Sequence, residues 1–254
     1  PGSSITMVYQ ETERQHKECL AECDRLIAKA GESLLEPDAG SVTLVNCLSY
    51  EYARPVELPL FWGRSGAVAA DGSPVPVQME GGRAVASAVV PAHGALTLRK
   101  SGKAEAGRAA EGLVLENDLV RYEFGADGTL LRAFDKEIGR PVLEGGRGNL
   151  LSLYEDRPNQ WDAWDVDIFY ENQLLENARS VSVTRLPGGA VRHGLRFELA
   201  VGKSVIEQCV YLAAGSKRLD FRTRVEWNER HHMLRVSFLV AVCADRASFD
   251  IQYG

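Results

Sequence analysis

Seven consecutive residues, Trp161-Asp162-Ala163-Trp164-Asp165-Val166-Asp167, hold two of the four tryptophans of the chain and three carboxylates. Flat indole faces beside hydrogen-bond acceptors suit a loop that meets a sugar, and Trp161, Asp162, Trp164 and Asp165 are the candidate substrate-binding residues. The same residues also suit a structural corner, with the indoles packed and the acids capping the loop's own backbone N–H groups. As catalysts the three acids are poor candidates. Retaining hydrolysis of a glycoside needs two carboxyl groups on opposite sides of the scissile bond, roughly 5–5.5 Å apart, and one short loop cannot flank a ring from both sides. No catalytic residue is therefore assigned within the chain.

Other groupings that could do chemistry have plainer readings. Glu229, His231 and His232 invite a metal, but adjacent residues on a strand point to opposite faces, so turn residues at a strand junction are the better description. Cys19 and Cys23 lie four apart on a helical pattern, with no second Cys or His pair at ligand spacing. His16 falls on the margin of that helix's apolar stripe, His93 precedes Gly94 in a hairpin signal, and His193 precedes Gly194 in a strand interruption. Arg147 and Arg157, close to the Trp/Asp loop, could clamp a sugar or pair with its acids; surface pairing is the default. Gly145-Gly146-Arg147-Gly148 is no phosphate cradle, because no helix with a Lys-Ser/Thr start follows it.

The elements that must position these residues change character once. Residues 3–35 repeat apolar side chains at three- and four-residue steps (Ile5, Val8, Tyr9, Leu20, Leu26, Ile27), which predicts a long helix capped by Ser3 or Ser4 and stopped by Pro37. Such a stripe needs other helices to cover it, and no other segment has helical periodicity. Residues 42–48, 54–61, 75–79, 83–90 and 95–99 read as short strands punctuated by Gly63, Asp71-Gly72, Gly81-Gly82 and His93-Gly94 as hairpin turns, the makings of a small β-sandwich. Gly, Ala, Lys and Glu then make a linker.

From residue 112 onward the pattern stays β. Strands are expected at 113–117, 119–124, 129–134, 149–155, 180–186, 191–201, 204–212, 218–227 and 234–242, with hairpin signals at Asp127-Gly128 and Gly188-Gly189. Residues 221–227 alternate strictly, as in a sheet wet on one face. The final stretch, 249–254, reads as a strand and a turn glycine. The expected class is mainly β. A helix from a truncated bundle covers 1–36, a small sandwich 37–105, and an incomplete large antiparallel sandwich 106–254. A helix without partners and a sheet ending at an open strand predict self-association into a homo-oligomer.

Composition narrows the function classes. The net charge of −6 with scattered Lys and Arg argues against nucleic acid. No apolar run approaches the ~20 residues that span a bilayer. The first residues lack the charged and apolar regions of a secretion signal, and five widely spaced cysteines favour free thiols in a reducing compartment, the cytoplasm.

Five strings, in order, carry a resemblance. Pro1-Gly2-Ser3-Ser4-Ile5 with the helix after it resembles the segment that follows the His-Asp motif of glycoside hydrolase family 38 α-mannosidases. Residues 115–124 (LENDLVRYEF), followed by Asp127-Gly128-Thr129 and Phe134-Asp135-Lys136-Glu137, resemble the opening of that family's large β-domain. Trp161-Asp162-Ala163-Trp164-Asp165 resembles a loop of its cytosolic and vacuolar-type branch; 225–232 and Ile251-Gln252-Tyr253-Gly254 resemble its later strands. The resemblance implies a mutarotase-like supersandwich from a retaining α-mannosidase acting on mannose-containing oligosaccharides. It implies that the nucleophile, the acid/base and the ligands of a divalent metal, zinc or cobalt, belong to an N-terminal domain absent from this chain, with one ligand His just before Pro1. The isolated chain is then expected to hold no metal and to be inactive. The competing expectation is a stand-alone carbohydrate-binding β-sandwich module.

Overall fold

A computed structural model describes residues 5–35, 38–104, 112–143, 145, 147–161 and 165–249. Helix α1 runs over Thr6–Leu34 and buries none of its residues; Leu20, Leu26 and Ile27 face solvent along with the charged side chains. Ser3 and Ser4 lie outside the described residues, and the cap is Ile5 in an extended conformation, with no side-chain hydrogen bond to the first turn. The helix rests on its own backbone ladder and on exposed ion pairs such as Arg14–Glu18 (2.6 Å) and Arg25–Glu22 (2.6 Å), each worth only ~0.3–0.5 kcal/mol. It ends at Leu35, whose N–H bonds to Gly31 O, ahead of Pro37, which is outside the described residues.

After α1 every described strand pairs antiparallel, the mainly-β class read from the sequence. β1 (Ser41–Asn46), β2 (Tyr52–Glu57), β3 (Gly66–Ala69), β4 (Pro74–Val75), β5 (Val77–Glu80), β6 (Arg83–Val90) and β7 (Gly94–Ser101) form two sheets in the orders β1-β7-β3-β4 and β2-β6-β5. Their facing sides enclose Leu58, Trp62, Ala67, Val77, Ala84, Ala86 and Leu98. The strand expected over 54–61 stops at Glu57. Pro59 brings no N–H to a ladder, and a 3-10 turn at Leu60–Trp62 swings Trp62 into the core, its indole N–H bonded to Ser65 O at 2.9 Å. β3 escaped the sequence reading because it is four small residues beside a glycine. Gly66 belongs there, since a Cβ would stand 2.5 Å from Ser101 O of the paired strand. His93-Gly94 is not a hairpin. β6 already pairs with β2 and β5 on its two edges, so β7 crosses to the other sheet, and His93 takes a positive φ of 47° at the crossing. Gly63 likewise lies between strands of different sheets.

The second β-region has three described sheets. The first holds β8 (Val114–Glu116), β9 (Val120–Phe124), β10 (Leu130–Asp135) and β11 (Arg140–Pro141), in the order β11-β10-β9-β8. The second places β12 (Leu150–Glu155) between β13 (Leu174–Asn177) and the late β18 (His232–Ser237). The third is the meander β14 (Arg179–Leu186), β15 (Arg192–Val201), β16 (Ser204–Ala213), β17 (Leu219–Glu226). Alternate residues of β15 and β16 enter one core: Leu195, Phe197, Leu199 and Val201 meet Ile206, Val210 and Leu212, with Leu115, Val120, Phe124, Leu130, Leu151 and Leu153 from the other sheets. Burying each such side chain contributes about 1.5–3 kcal/mol.

Four further expectations change. β15 runs unbroken through His193-Gly194; the glycine sits opposite Tyr211, and a Cβ there would lie 2.8 Å from that ring, so it marks close packing and no interruption. The strand expected over 234–242 is shorter, ending at Ser237. The alternation of residues 221–227 does not seal an apolar face: Val225 is 36% and Trp227 41% exposed. A 3-10 turn at Ile168–Asn172 also interrupts a region expected to be wholly β. The strand expected at 249–254 lies outside the described residues but for Phe249, which is in no regular element.

A buried side chain joins the two β-regions. Gln78 of β5 is 0% exposed. Its Oε1 accepts from the N–H groups of Val191 (2.9 Å) and Arg192 (3.0 Å), and its Nε2 donates to Arg192 O (2.9 Å) and Glu80 Oε1 (2.6 Å). Beside it Arg192 forks onto Glu80 through Nε (2.8 Å) and Nη2 (2.6 Å). Burial opposes the charge of Arg192, but the Glu80 carboxylate more than offsets that and holds the guanidinium above its ordinary value.

Candidate functional site

The Trp/Asp segment is the long connection between β12 and β13, which pair with each other at its base. Backbone bonds from Glu155 N–H to Gln173 O (3.0 Å) and from Asp156 N–H to His231 O (2.8 Å) tie its two ends to the sheet and to the turn before β18. Farther out, Asp167 closes the loop by accepting the Asn159 N–H at 2.8 Å, and Asp165 N–H reaches back to Trp161 O at 3.0 Å. Asp165 Oδ1 accepts the N–H of the next residue, Val166, at 3.1 Å. Both acids are thus engaged with backbone, the work expected of a structural corner.

Trp161 behaves otherwise. It has a left-handed φ of 64° and is 62% exposed. Left-handed backbone is uncommon for a bulky residue and costs of order 1–3 kcal/mol, so the loop closure holds this indole in solvent at a cost. Asp162, Ala163 and Trp164 lie outside the described residues, so of the four predicted site residues the geometry describes Trp161 and Asp165. Those two are brought together by the backbone bond between them.

Below the loop is a hollow of about 240 Å³ lined by Glu155, Asp156, Arg157, Asn159, Asp167 and Tyr170 among others. Tyr170 is its best-held member. Its ring meets Tyr154 edge-on at 5.4 Å, the Arg235 guanidinium lies 4.7 Å from its centre, and Arg235 also bonds to its hydroxyl. Among the described residues Arg157 pairs with Glu155 (2.5 Å) and not with Asp165 or Asp167, while Arg147 lines a separate depression with Asp127 and Asn177. The sequence reading passed over Tyr170, Glu155 and Arg235. For Tyr170 a signal existed, an aromatic three residues beyond the last acid of the loop; for Arg235, 65 residues away, there was none.

Glu229, His231 and His232 do not converge on one point. His231 is an exposed turn residue with φ 54°, whereas His232 opens β18 with Nδ1 3.9 Å from Glu229 Oε2. Glu229 is committed elsewhere. It accepts the Lys203 N–H (2.5 Å) and the Ser204 hydroxyl (3.1 Å), and these bonds, the Lys203 N–H first, hold its carboxyl below the ordinary value. Among the described residues no three His, Cys, Asp or Glu side chains are grouped so as to hold a metal ion. The described residues therefore offer a divalent ion no ligand set, and no chemical step here runs through one. No described helix is long and apolar enough to cross a membrane.

Comparison with known proteins agrees with this architecture. Residues 115–254, from β8 onward, match the family described as Glycosyl hydrolases family 38 C-terminal domain. The whole chain aligns with Alpha-mannosidase G of Dictyostelium discoideum at 24% identity and with human Alpha-mannosidase 2C1 at 29%, covering 28% and 24% of those proteins. An Alpha-mannosidase of Saccharomyces cerevisiae is 30% identical over 47% of the chain. The chain spans about a quarter of the length of the relatives it matches end to end. With more than half of its residues inside the C-terminal domain of one family, this chain belongs to glycoside hydrolase family 38.

Proposed function

We propose that this chain is the non-catalytic β-region of a retaining α-mannosidase, buttressing the active site and offering the Trp161–Asp165 loop to the terminal mannose of an oligosaccharide. The observation that carries the reading is the solvent-facing indole of Trp161, in left-handed backbone within a loop that the Asn159–Asp167 bond closes. An exposed ring face supplies apolar contact to the C–H side of a sugar, while acids and amides near it meet the hydroxyls. In this reading Asp162 and Trp164 also serve the substrate in the full-length enzyme. The nucleophile, the acid/base and the zinc or cobalt ion belong to a separate catalytic domain of the full-length enzyme, the partner on which this chain acts. A cytoplasmic location is supported by five cysteines that are all unpaired.

In the complete enzyme, Trp161→Ala is expected to lower kcat/KM about tenfold or more, a loss of ~1.4 kcal/mol in transition-state binding. Unchanged kinetics with an unchanged melting temperature would overturn the loop's role. The 254 residues alone should release no product from a mannoside. A stand-alone carbohydrate-binding module is the second reading, favoured by the same exposed indole. It requires the isolated chain to bind mannobiose in a way that Trp161→Ala abolishes, which titration calorimetry reads directly.

A further inference from the structure

Above the Gln78 joint, between the two β-regions and away from the Trp/Asp loop, lies a cleft of about 510 Å³. Its floor is Val85, Leu186, Pro187 and Tyr211, and Arg192, already forked onto Glu80, lies 4.2 Å from the Tyr211 ring centre. Its rim is Glu57 of β2, Arg83 of β6 and Arg222 of β17, so each β-region supplies part of it. Size and placement at a domain junction are those of small-molecule sites, which run to roughly 300–1,000 Å³.

We propose that this cleft binds a sugar ring through a vicinal diol. The rim chemistry selects that class. Glu57 is shared by two guanidinium groups, Arg222 at 3.3 Å and Arg83 at 3.9 Å, and all three side chains remain between 42% and 59% exposed. A carboxylate offers about four lone-pair sites and each guanidinium five N–H donors, so both kinds of group keep unused capacity. A phosphate or carboxylate ligand would lie against the Glu57 and Glu80 carboxylates; a cation would face Arg83, Arg192 and Arg222. A neutral diol meets neither repulsion: one hydroxyl donates to Glu57 while both accept from the arginines. The walls are also held in place before any ligand arrives, because Gln78 and the Arg192–Glu80 fork join the two β-regions with buried hydrogen bonds. Little ordering is then required on binding. The site is independent of the Trp161 loop and of the reading built on it.

The test is calorimetric titration of the chain with methyl α-mannoside and mannobiose, with inorganic phosphate as a separate titrant, alongside melting temperatures. Saturable sugar binding is expected, with a ligand-dependent rise in melting temperature. Glu57→Gln and Arg222→Gln should each weaken it about tenfold without lowering the melting temperature of the free chain, since both residues are exposed, and Trp161→Ala should leave it unchanged. Three results would overturn the proposal: no saturable sugar binding, binding lost in Trp161→Ala but kept in Glu57→Gln, or phosphate binding in place of sugar. The second would instead support the loop as a sugar module, so failure here and failure of the loop reading are separable.

Discussion

Gln78 shows how much one side chain can decide. Its amide satisfies two N–H groups and one carbonyl of residues 191–192, all buried, at a junction where, among the described residues, no backbone ladder connects the two β-regions. Gln78→Leu would fill nearly the same space but strand those three groups, at about 1–3 kcal/mol each if unrelieved. We expect a stability loss of roughly 3–5 kcal/mol in urea unfolding, with the transition broadening or splitting as the two β-regions uncouple. A loss under ~1 kcal/mol would mean that water replaces the amide. Glu229 makes a pH prediction. Its carboxyl lies below its ordinary value because the Lys203 N–H and the Ser204 hydroxyl bond to the charged form. A depressed folded-state pKa stabilises the fold fully above the unfolded value, and that contribution is lost as pH falls through the lower folded value. The melting temperature should therefore drop on acidification below the ordinary glutamate range. Glu229→Gln should melt lower near neutrality and show a shallower acid decline; parallel curves for the two proteins would refute the assignment.

At the level of elements, period-two patterning was legible wherever a strand is long and buried on one face. β6 begins and ends at the residues read from the sequence, and β14, β15 and β16 within one. Patterning was silent for β3, β11 and β13, which have two to four residues and no room for alternation, and it misread residues near Pro59, where a missing N–H ends the ladder. Gly194 was legible as a glycine but not as to purpose, since the Tyr211 ring that demands it comes from the neighbouring strand. Gly194→Ala places a methyl against that ring and against Leu186, in the middle of a sheet paired on both sides. We expect about 1–3 kcal/mol of destabilisation by urea titration, and a neutral substitution would show that the ring has free space to retreat.

Over the whole molecule, two groups of the large apolar side chains exposed on the described surface lie on or beside elements with an open side. One is the α1 stripe, with Leu20, Leu26 and Ile27; the other runs from Val225 and Trp227 to Phe238, Leu239, Val240 and Val242, beside the edge strands β17 and β18. Contiguous exposed apolar surface and open sheet edges favour association. The purified chain should therefore form oligomers whose mass by light scattering rises with concentration, and a monomer at every concentration would refute this. The sequence by itself determined the class, the single long helix, the position of most long strands and the family, because helical and strand periods are local and the family's strings are contiguous. Tertiary structure alone decided which strands are neighbours, that His93 marks a crossing between sheets, and which distant residues share a site. Arg235 against Tyr170, Gln78 against Arg192 and Glu57 against Arg222 are 65, 114 and 165 residues apart. A two-residue period tells a strand which of its faces is buried; only the competition among all strands for a common core tells it what lies on the other side.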